Sequence, residues 1–424
     1  MNILLLGASG FIGRQLAAQL VQHGHVVQAV GRSDPVLTGV RWVAADLAHM
    51  TQMKDWLPLL NGVDAVINCV GILLEPHAGA YATLHADMPC SLFAASEARQ
   101  VRRVIQLSAW GSDVDAETAY WRSKGKADAD LLGRDLDGVV LRPSLVYGEE
   151  GDSSRGMRTL ATLPVLVLPM ARRARVQPIH VDDLVALMLA LLAAAPAQRG
   201  IVDAVGPHSC SFADYLSTLR QGMRAGASWV LPLPDGLAYT VARLAAHIPG
   251  SLLTPDTLRM LAASAGTGPL ADPLPCQQLL GRPLRHPTNF APPELRATAV
   301  MGWAEPILRV MMALLWLWSA LTGWWWPREQ SLGWLHACGI PAAWAPAALN
   351  GACLLDISLA VLLVLRPRRW LWGAQALLVA FYSVSLSVGM PEPEWWLHPF
   401  GALSKNLPIV LLLIMMWRMS EDKP

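Results

Sequence analysis

The first thirteen residues of this chain constrain its fold more than any other stretch. Ile3–Leu6 is an apolar run with the length of one buried strand, and it enters Gly7-Ala-Ser-Gly10-Phe-Ile-Gly13 with no linker. The helical pattern Phe11–His23 follows at once. Glycines spaced GxxGxxG at a strand-to-helix junction permit a tight turn, a close approach of backbone to ligand, and a helix packed against its strand. The helix N-terminus then offers free N–H groups and a positive dipole end to phosphates. The junction therefore predicts a dinucleotide pyrophosphate cradle lined by Gly7, Ser9, Gly10, Phe11, Ile12 and Gly13.

The same alternation continues to about residue 205. Apolar runs at Val26–Val30, Arg41–Ala44, Ala65–Cys69, Val104–Leu107, Val139–Leu141 and Ile201–Ala204 are separated by helical stretches such as Ala80–Glu97. Strands apolar on both faces argue for a parallel sheet covered by helices on both sides. Residues 206–303 change character: the helical stretches Phe212–Arg224 and Asp235–His247 are broken by Leu231-Pro-Leu-Pro234 and Ala291-Pro-Pro293, the pattern of a small helical cap with linkers. From 304 to 424 come four apolar runs, at about 306–326, 344–365, 370–389 and 401–418. The first three have the roughly 20 residues that a spanning helix needs, and the fourth is shorter. The expected architecture is thus α/β: a doubly wound parallel-sheet domain (1–205), a small helical cap (206–303) and a four-helix transmembrane domain (304–424).

Composition agrees with a membrane portion, since 53% of the 424 residues are hydrophobic and only 15% are charged. A net charge of +1 gives no reason to expect nucleic acid. The six cysteines stand singly, which predicts neither a metal site nor a disulfide framework and fits a reducing compartment. The first residues lack the basic region of a signal peptide, so the N-terminal domain is expected in the cytoplasm. Arg366, Arg368 and Arg369 lie between the second and third runs, whereas Pro391–His398 carries no Lys or Arg. Arg328 stands alone after the first run, and Arg418 and Lys423 follow the fourth. The positive-inside rule then gives a multi-pass inner-membrane protein with both termini cytoplasmic.

The residue past the second strand separates the two nicotinamide cofactors. An acidic group there hydrogen-bonds the ribose 2′-OH, and a basic one accommodates a 2′-phosphate. Arg32 comes first, favouring NADP(H), and Asp34 follows closely enough to keep NAD(H) open. Asp46, after the third strand, is placed to meet the adenine, and Gly71 ends the fourth strand where the cofactor needs room. Tyr120 and Lys124 are four apart on one predicted helix face. A lysine there can hold the cofactor ribose and lower the tyrosine pKa, so that the tyrosine passes a proton to or from a substrate oxygen. Ser108 ends the fifth strand and can orient the same oxygen.

Together, Gly7–Gly13, Ser108, Tyr120-x-x-x-Lys124, Leu141-Arg-Pro143-Ser-Leu-Val-Tyr-Gly148 and Pro178-Ile-His180-Val-Asp182-Asp183 resemble the extended and atypical short-chain dehydrogenase/reductases. Val66-Ile-Asn-Cys-Val-Gly71 and Ser108-Ala-Trp-Gly111 lean towards the branch of the nucleotide-binding accessory subunit of respiratory complex I. The likeness covers about residues 1–285. It implies a Rossmann fold, cofactor contacts that include Pro143, and a catalytic set of Ser108, Tyr120 and Lys124. Trp316-Leu-Trp318, Asp356, Trp396-Leu-His-Pro-Phe-Gly401 and Lys405-Asn406 resemble a DoxX-like membrane domain.

Ionisable groups at membrane depth usually face a bundle interior. Asp356 and Lys405, with Asn406, are therefore candidates for a polar cluster, and His398 for a headgroup-level pocket. The expected function is a membrane-anchored NAD(P)(H)-dependent oxidoreductase acting on a lipid-soluble carbonyl or quinone-type substrate. Two rivals stand beside it: a non-catalytic NADPH-binding sensor or assembly module, and a nucleotide-sugar epimerase or dehydratase. The expected partners are the bilayer and the lipid-soluble substrate, with an oligomer or a protein partner left open.

Overall fold

The computed structural model describes residues 1–169, 173–194, 197–247, 253–265, 268–397 and 403–420. The chain divides into two compact units, Met1–Val300 and Met301–Pro424.

In the first unit, among the described residues, seven strands form one sheet: β1 (Asn2–Leu6), β2 (Val26–Gly31), β3 (Val40–Ala44), β4 (Ala65–Asn68), β5 (Arg103–Leu107), β6 (Gly138–Pro143) and β7 (Gly200–Ala204). Each is an apolar run that the sequence marks as a strand. Their order is β7-β6-β5-β4-β1-β2-β3, with every pairing parallel. Strand order reverses between β1 and β4, and ligands bind at the carboxyl ends of the strands beside such a reversal. The register sets Leu6 against Val30 and Asn68, and Leu107 against Leu141, so Gly7, Gly71, Ser108 and Pro143 all follow or end strands on that one edge.

The central strands are largely apolar because both faces are covered. Ile3, Leu5, Ile105 and Leu141 face a layer containing Leu16 and Leu20 of α1 (Phe11–Gln22). Leu4, Leu6, Val104 and Val140 face the opposite layer, with Leu92, Phe93 and Leu131. Leu131 belongs to α2 (Ala119–Leu132), while α3 (Val181–Ala193) lies on the α1 side through Leu184 and Leu187. Each such leucine contributes about 1.5–3 kcal/mol on burial, so a shift of one residue in register would send half of them to the wrong layer.

The cap core draws on residues from both sides of position 205. Tyr147, Met157, Leu166 and Leu168 pack with Tyr215, Leu219 and Phe290. It includes α4 (Phe212–Gly222), capped by Ser211 Oγ accepting from the Asp214 N–H at 3.1 Å, while α5 (Asp235–Ala245) packs Ala238 and Ala242 with Leu258 in a small cluster of its own. A two-stranded parallel pair, Val165–Pro169 with Trp229–Leu233, completes it. Asp183 on α3 is fully buried; it pairs with Arg282 at 2.8 Å and accepts from the Arg285 N–H at 2.7 Å. The Pro178–Asp183 segment thereby ties α3 to the chain that returns from the cap.

The second unit is helical: α6 (Arg296–Trp325, beginning in the preceding unit), α7 (Arg328–Ala337), α8 (Ala345–Leu365), α9 (Arg369–Gly389) and α10 (Asn406–Met419). Among the described residues, three helices are long and apolar enough to cross a membrane: Pro293–Trp325, Ala345–Leu365 and Arg369–Gly389. The fourth apolar helix, α10, has 14 residues, shorter than a spanning helix requires. Polar groups turn inward. Trp316 Nε1 donates to Gln375 Oε1 at 2.8 Å, Asn406 Nδ2 donates to Ser383 Oγ at 2.8 Å, and buried Asp356 is hydrogen-bonded by Ser319. Lys405 lies exposed at the start of α10. His398, Phe400, Gly401 and Lys423 fall outside the described residues.

Candidate functional site

The glycine turn closes as its spacing requires. Gly7 has φ +80°, a left-handed conformation that favours glycine, and its carbonyl accepts from Gly10 N–H at 3.0 Å. A Cβ on Gly13 would stand 2.1 Å from the Gly7 oxygen, so α1 approaches the turn only because position 13 lacks a side chain. Gly10 caps α1 without a side chain, which leaves the first-turn N–H groups for a ligand. Ser9 and Gly10 are exposed, and Phe11 and Ile12 are half-buried. Phe11 packs where a Cβ on Gly148 would fall, joining the turn to the loop after β6. These are the dimensions of a cradle that fits a pyrophosphate.

Around it, Arg32 is exposed one residue beyond β2. Asp34 Oδ1 accepts from the Val36 N–H at 2.8 Å, so part of that carboxylate serves its own loop. Asp46 caps a short 3-10 turn, accepting from Ala48 N–H at 3.2 Å, and meets His49 at 3.3 Å. Pro143 ends β6, buried, with its carbonyl accepting from Trp110 N–H at 2.8 Å. Gly71 is exposed, and a Cβ there would lie 3.3 Å from Lys124 Nζ. Asn68 shapes the turn before it: its Nδ2 donates to Gln106 Oε1 at 2.8 Å and its Oδ1 accepts from Val70 N–H at 3.0 Å.

Helix α2 carries the predicted Tyr/Lys pair. Thr118 Oγ1 starts it by accepting from Trp121 N–H at 3.3 Å. Gly125 lets it come close, since a Cβ there would meet Asp113 backbone at 2.2 Å. Tyr120, Lys124 and Asp128 recur every four residues and form one stripe. Lys124 is buried; its Nζ donates to Leu107 O at 3.2 Å and lies 5.9 Å from the Tyr120 ring centre. Burial pushes Lys124 down to about 8, against the opposing pull of Asp128 and Cys69. Tyr120 is pushed up, first by burial and then by Tyr81, so its phenol holds its proton firmly. The sequence expectation was a tyrosine lowered by its lysine. In this geometry desolvation outweighs that pull.

Ser108 is buried, and its hydroxyl donates to Asp128 Oδ2 at 2.7 Å. Arg142 reaches the same oxygen through Nε and Nη2, both at 3.0 Å. Burial raises the Asp128 pKa, while Ser108 and Arg142 act against it. The Ser108 hydroxyl is thus anchored inward, on a carboxylate that the YxxxK spacing does not reveal.

A further residue, His85, was not singled out from sequence. It lies in a π-helical turn, Thr83–Asp87, inside the helical segment 80–98, and such turns often mark functional sites. Its Nε2 accepts from Ile72 N–H at 3.0 Å, so in a neutral ring the proton sits on Nδ1, which faces Ser123 Oγ at 3.0 Å. Ser123 Oγ in turn donates to Tyr120 O at 2.8 Å. The ring stacks on Tyr81 at 5.2 Å and meets Tyr120 edge-on at 5.5 Å. Burial, with Lys124 nearby, pushes His85 down to about 3, which keeps it neutral. The available signal was a histidine set between the apolar residues Leu84 and Ala86.

Comparison with known proteins agrees with this geometry. Residues 7–176 match a family model described as NAD(P)H-binding, and residues 313–414 match the DoxX-like family. The chain is 25% identical over 225 residues to an uncharacterised protein of Mycobacterium tuberculosis, covering 53% of this chain and 24% of that protein. It is 25% identical over 195 residues to a ceramide reductase of Caulobacter vibrioides, covering 44% and 60%. It is 24% identical over 200 residues to subunit 9 of the NADH dehydrogenase (ubiquinone) 1 alpha subcomplex of Arabidopsis thaliana, covering 44% and 49%. The chain thus spans between a quarter and three-fifths of the length of these relatives. Among solved structures, a nucleoside-diphosphate-sugar epimerase of Staphylococcus aureus superposes with TM-score 0.55 at 15% identity, covering 68% of this chain and 99% of that one. At that identity the likeness is one of fold. The chain joins an NAD(P)H-binding Rossmann domain of seven parallel strands to a C-terminal DoxX-like domain with candidate membrane spans.

Proposed function

We propose that this chain is a membrane-anchored, NADP(H)-dependent reductase of a lipid-soluble carbonyl or quinone-type compound, held in an inner membrane with its Rossmann domain and C-terminus in the cytoplasm. The observation that carries the reading is the stripe on α2: a protonated Tyr120 beside a buried Lys124 whose amino group stands next to Gly71, at the strand-order reversal. A binding module has no need of a titrating pair at that edge. NADP(H), when bound, supplies the hydride. Tyr120 holds the proton that a substrate oxygen gains, and burial keeps its phenol in the protonated form that reduction requires. Lys124 supplies positive charge beside the cofactor ribose and the phenol. Ser108 serves as substrate orienter when its hydroxyl turns from Asp128, a smaller part than that of Tyr120. Arg32, free of side-chain obligations to β2, is the contact that selects the 2′-phosphate. The name of one relative, ceramide reductase, supports a lipid carbonyl as substrate.

A second reading, nucleotide binding without turnover, draws on the similarity to the complex I subunit. One experiment separates them. The detergent-solubilised full chain is loaded with NADPH, and single-turnover oxidation is followed with a short-chain quinone and with a lipid extract. Oxidation that drops by about 10²-fold or more in Tyr120→Phe, with NADPH binding retained, is the expected result. Undiminished turnover in that variant removes Tyr120 from its role. Tight binding with no oxidation in any fraction selects the second reading.

A further inference from the structure

We propose that the outer face of the cap lies on a lipid bilayer surface, as an interfacial patch additional to the spans. Its sheet has apolar residues on both sides. In the pair Val165–Pro169 and Trp229–Leu233, the register sets Val165 beside Trp229 and Val167 beside Leu231. Leu166 and Leu168 point into the cap core, and these four point out, with Trp229 77% exposed. A solvated sheet face is ordinarily polar where the buried one is apolar.

The helix that follows repeats the arrangement. On α5, Ala238 and Ala242 are buried, while Leu237, Val241 and Leu244 are exposed at spacings of four and three, one stripe of an amphipathic helix. Arg243 adds an exposed cation in its last turn, and Arg173 another where it pairs with Asp235 at 3.8 Å. Apolar stripe, tryptophan and neighbouring arginines are the composition of a helix that lies in a membrane interface. Exposed apolar surface of this kind marks an interaction site in a soluble environment.

What selects a bilayer as the occupant is the chain itself. Ala299 packs in the cap core, and the candidate span reaches from Pro293 to Trp325. Only eight positions separate Ala299 from Ile307, within the first apolar run, which even fully extended is roughly 28 Å. The residue that packs in the cap core and the first apolar run belong to one helix, Arg296–Trp325, so a bilayer is the apolar surface that this chain itself supplies. Arginines near an anionic leaflet are attracted to it.

The test places the photo-crosslinker p-benzoylphenylalanine at Trp229, at Leu237 and, as control, at exposed Val26 of the Rossmann layer, in the full chain in nanodiscs of phosphatidylethanolamine and phosphatidylglycerol. Phospholipid adducts several-fold more abundant at 229 and 237 than at 26 are expected. Crosslinks to a second copy of the chain, or adducts no more abundant than at 26, overturn the proposal. The unmodified chain provides a second measurement: amide exchange across 235–245 is expected to be about tenfold slower in nanodiscs than in a lipid-free amphipol. Equal exchange in the two media counts against a lipid contact. Neither readout depends on turnover, so each stands whether or not the chain is a reductase.

Discussion

Lys124 carries a charge that its surroundings disfavour. Its amino group is buried beneath the Tyr120 ring, with Leu107 O as hydrogen-bond acceptor and Asp128 one turn along α2. Depression to about 8 makes the cation the majority form below that pH and the neutral amine the majority above it. If the cation is needed, kcat/KM measured with NADPH falls as pH rises through about 8, and Lys124→Arg flattens the fall because a guanidinium does not titrate there. An unchanged rate up to pH 9.5 in the unmodified chain would show that this charge does not enter the reaction. His85 works in the other direction. Its folded pKa of about 3 lies below the ordinary histidine value of 6.5, so the unfolded chain binds the extra proton between those limits. Stability from the buried neutral ring is full above about 6.5 and is lost as pH falls below it. His85→Ala is therefore expected to cost about 1–3 kcal/mol at pH 7, from the lost Ile72 and Ser123 partners, and to make the melting temperature less sensitive to acid between pH 7 and 5. An acid sensitivity identical to that of the unmodified chain would assign the effect to another group.

At the scale of elements, α1 and the glycine turn form one unit. A methyl group at position 13 would collide with the Gly7 carbonyl, so Gly13→Ala moves α1 off the turn. We expect a stability loss of about 1–3 kcal/mol, as for an overpacked core, and a more than tenfold loss of NADPH affinity by fluorescence titration. An alanine variant that binds NADPH as tightly as the original would mean that the pyrophosphate does not sit there. This turn was legible in sequence because its requirements are local: three glycines at fixed spacing between a strand and a helix. The seven strands were legible for a related reason, since each is a short, mostly apolar run and the central ones are buried on both faces. The π-turn at His85 was not, because its register depends on what packs around it. Nor was the Ser108–Asp128–Arg142 group, whose members are brought together only when β5, α2 and β6 assemble. The pair Val165–Pro169 and Trp229–Leu233 escaped as well, being joined across 60 residues with a proline in each strand.

For the whole molecule, sidedness decides which compartment can supply the cofactor. A nicotinamide cofactor does not cross a bilayer, whereas a lipid-soluble substrate is reached from within it. The asymmetry between the basic loop Arg366–Arg369, between α8 and α9, and the loop 391–397, with no Lys or Arg, supports the proposed cytoplasmic orientation. α8 and α9 are among the helices long enough to span, so the loop joining them fixes the side on which both end. NADPH added to inverted membrane vesicles is therefore expected to be oxidised without detergent, and NADPH added to right-side-out vesicles only after detergent opens them. The reverse pattern would place the Rossmann domain on the opposite face, against the positive-inside rule. Equal rates in both, with intact vesicles verified by a trapped marker, would mean that orientation is mixed. Substitution of Arg366, Arg368 and Arg369 by glutamine tests the cause: if these three cations set the orientation, the variant loses the difference between the two vesicle preparations while its detergent-solubilised NADPH oxidation is unchanged.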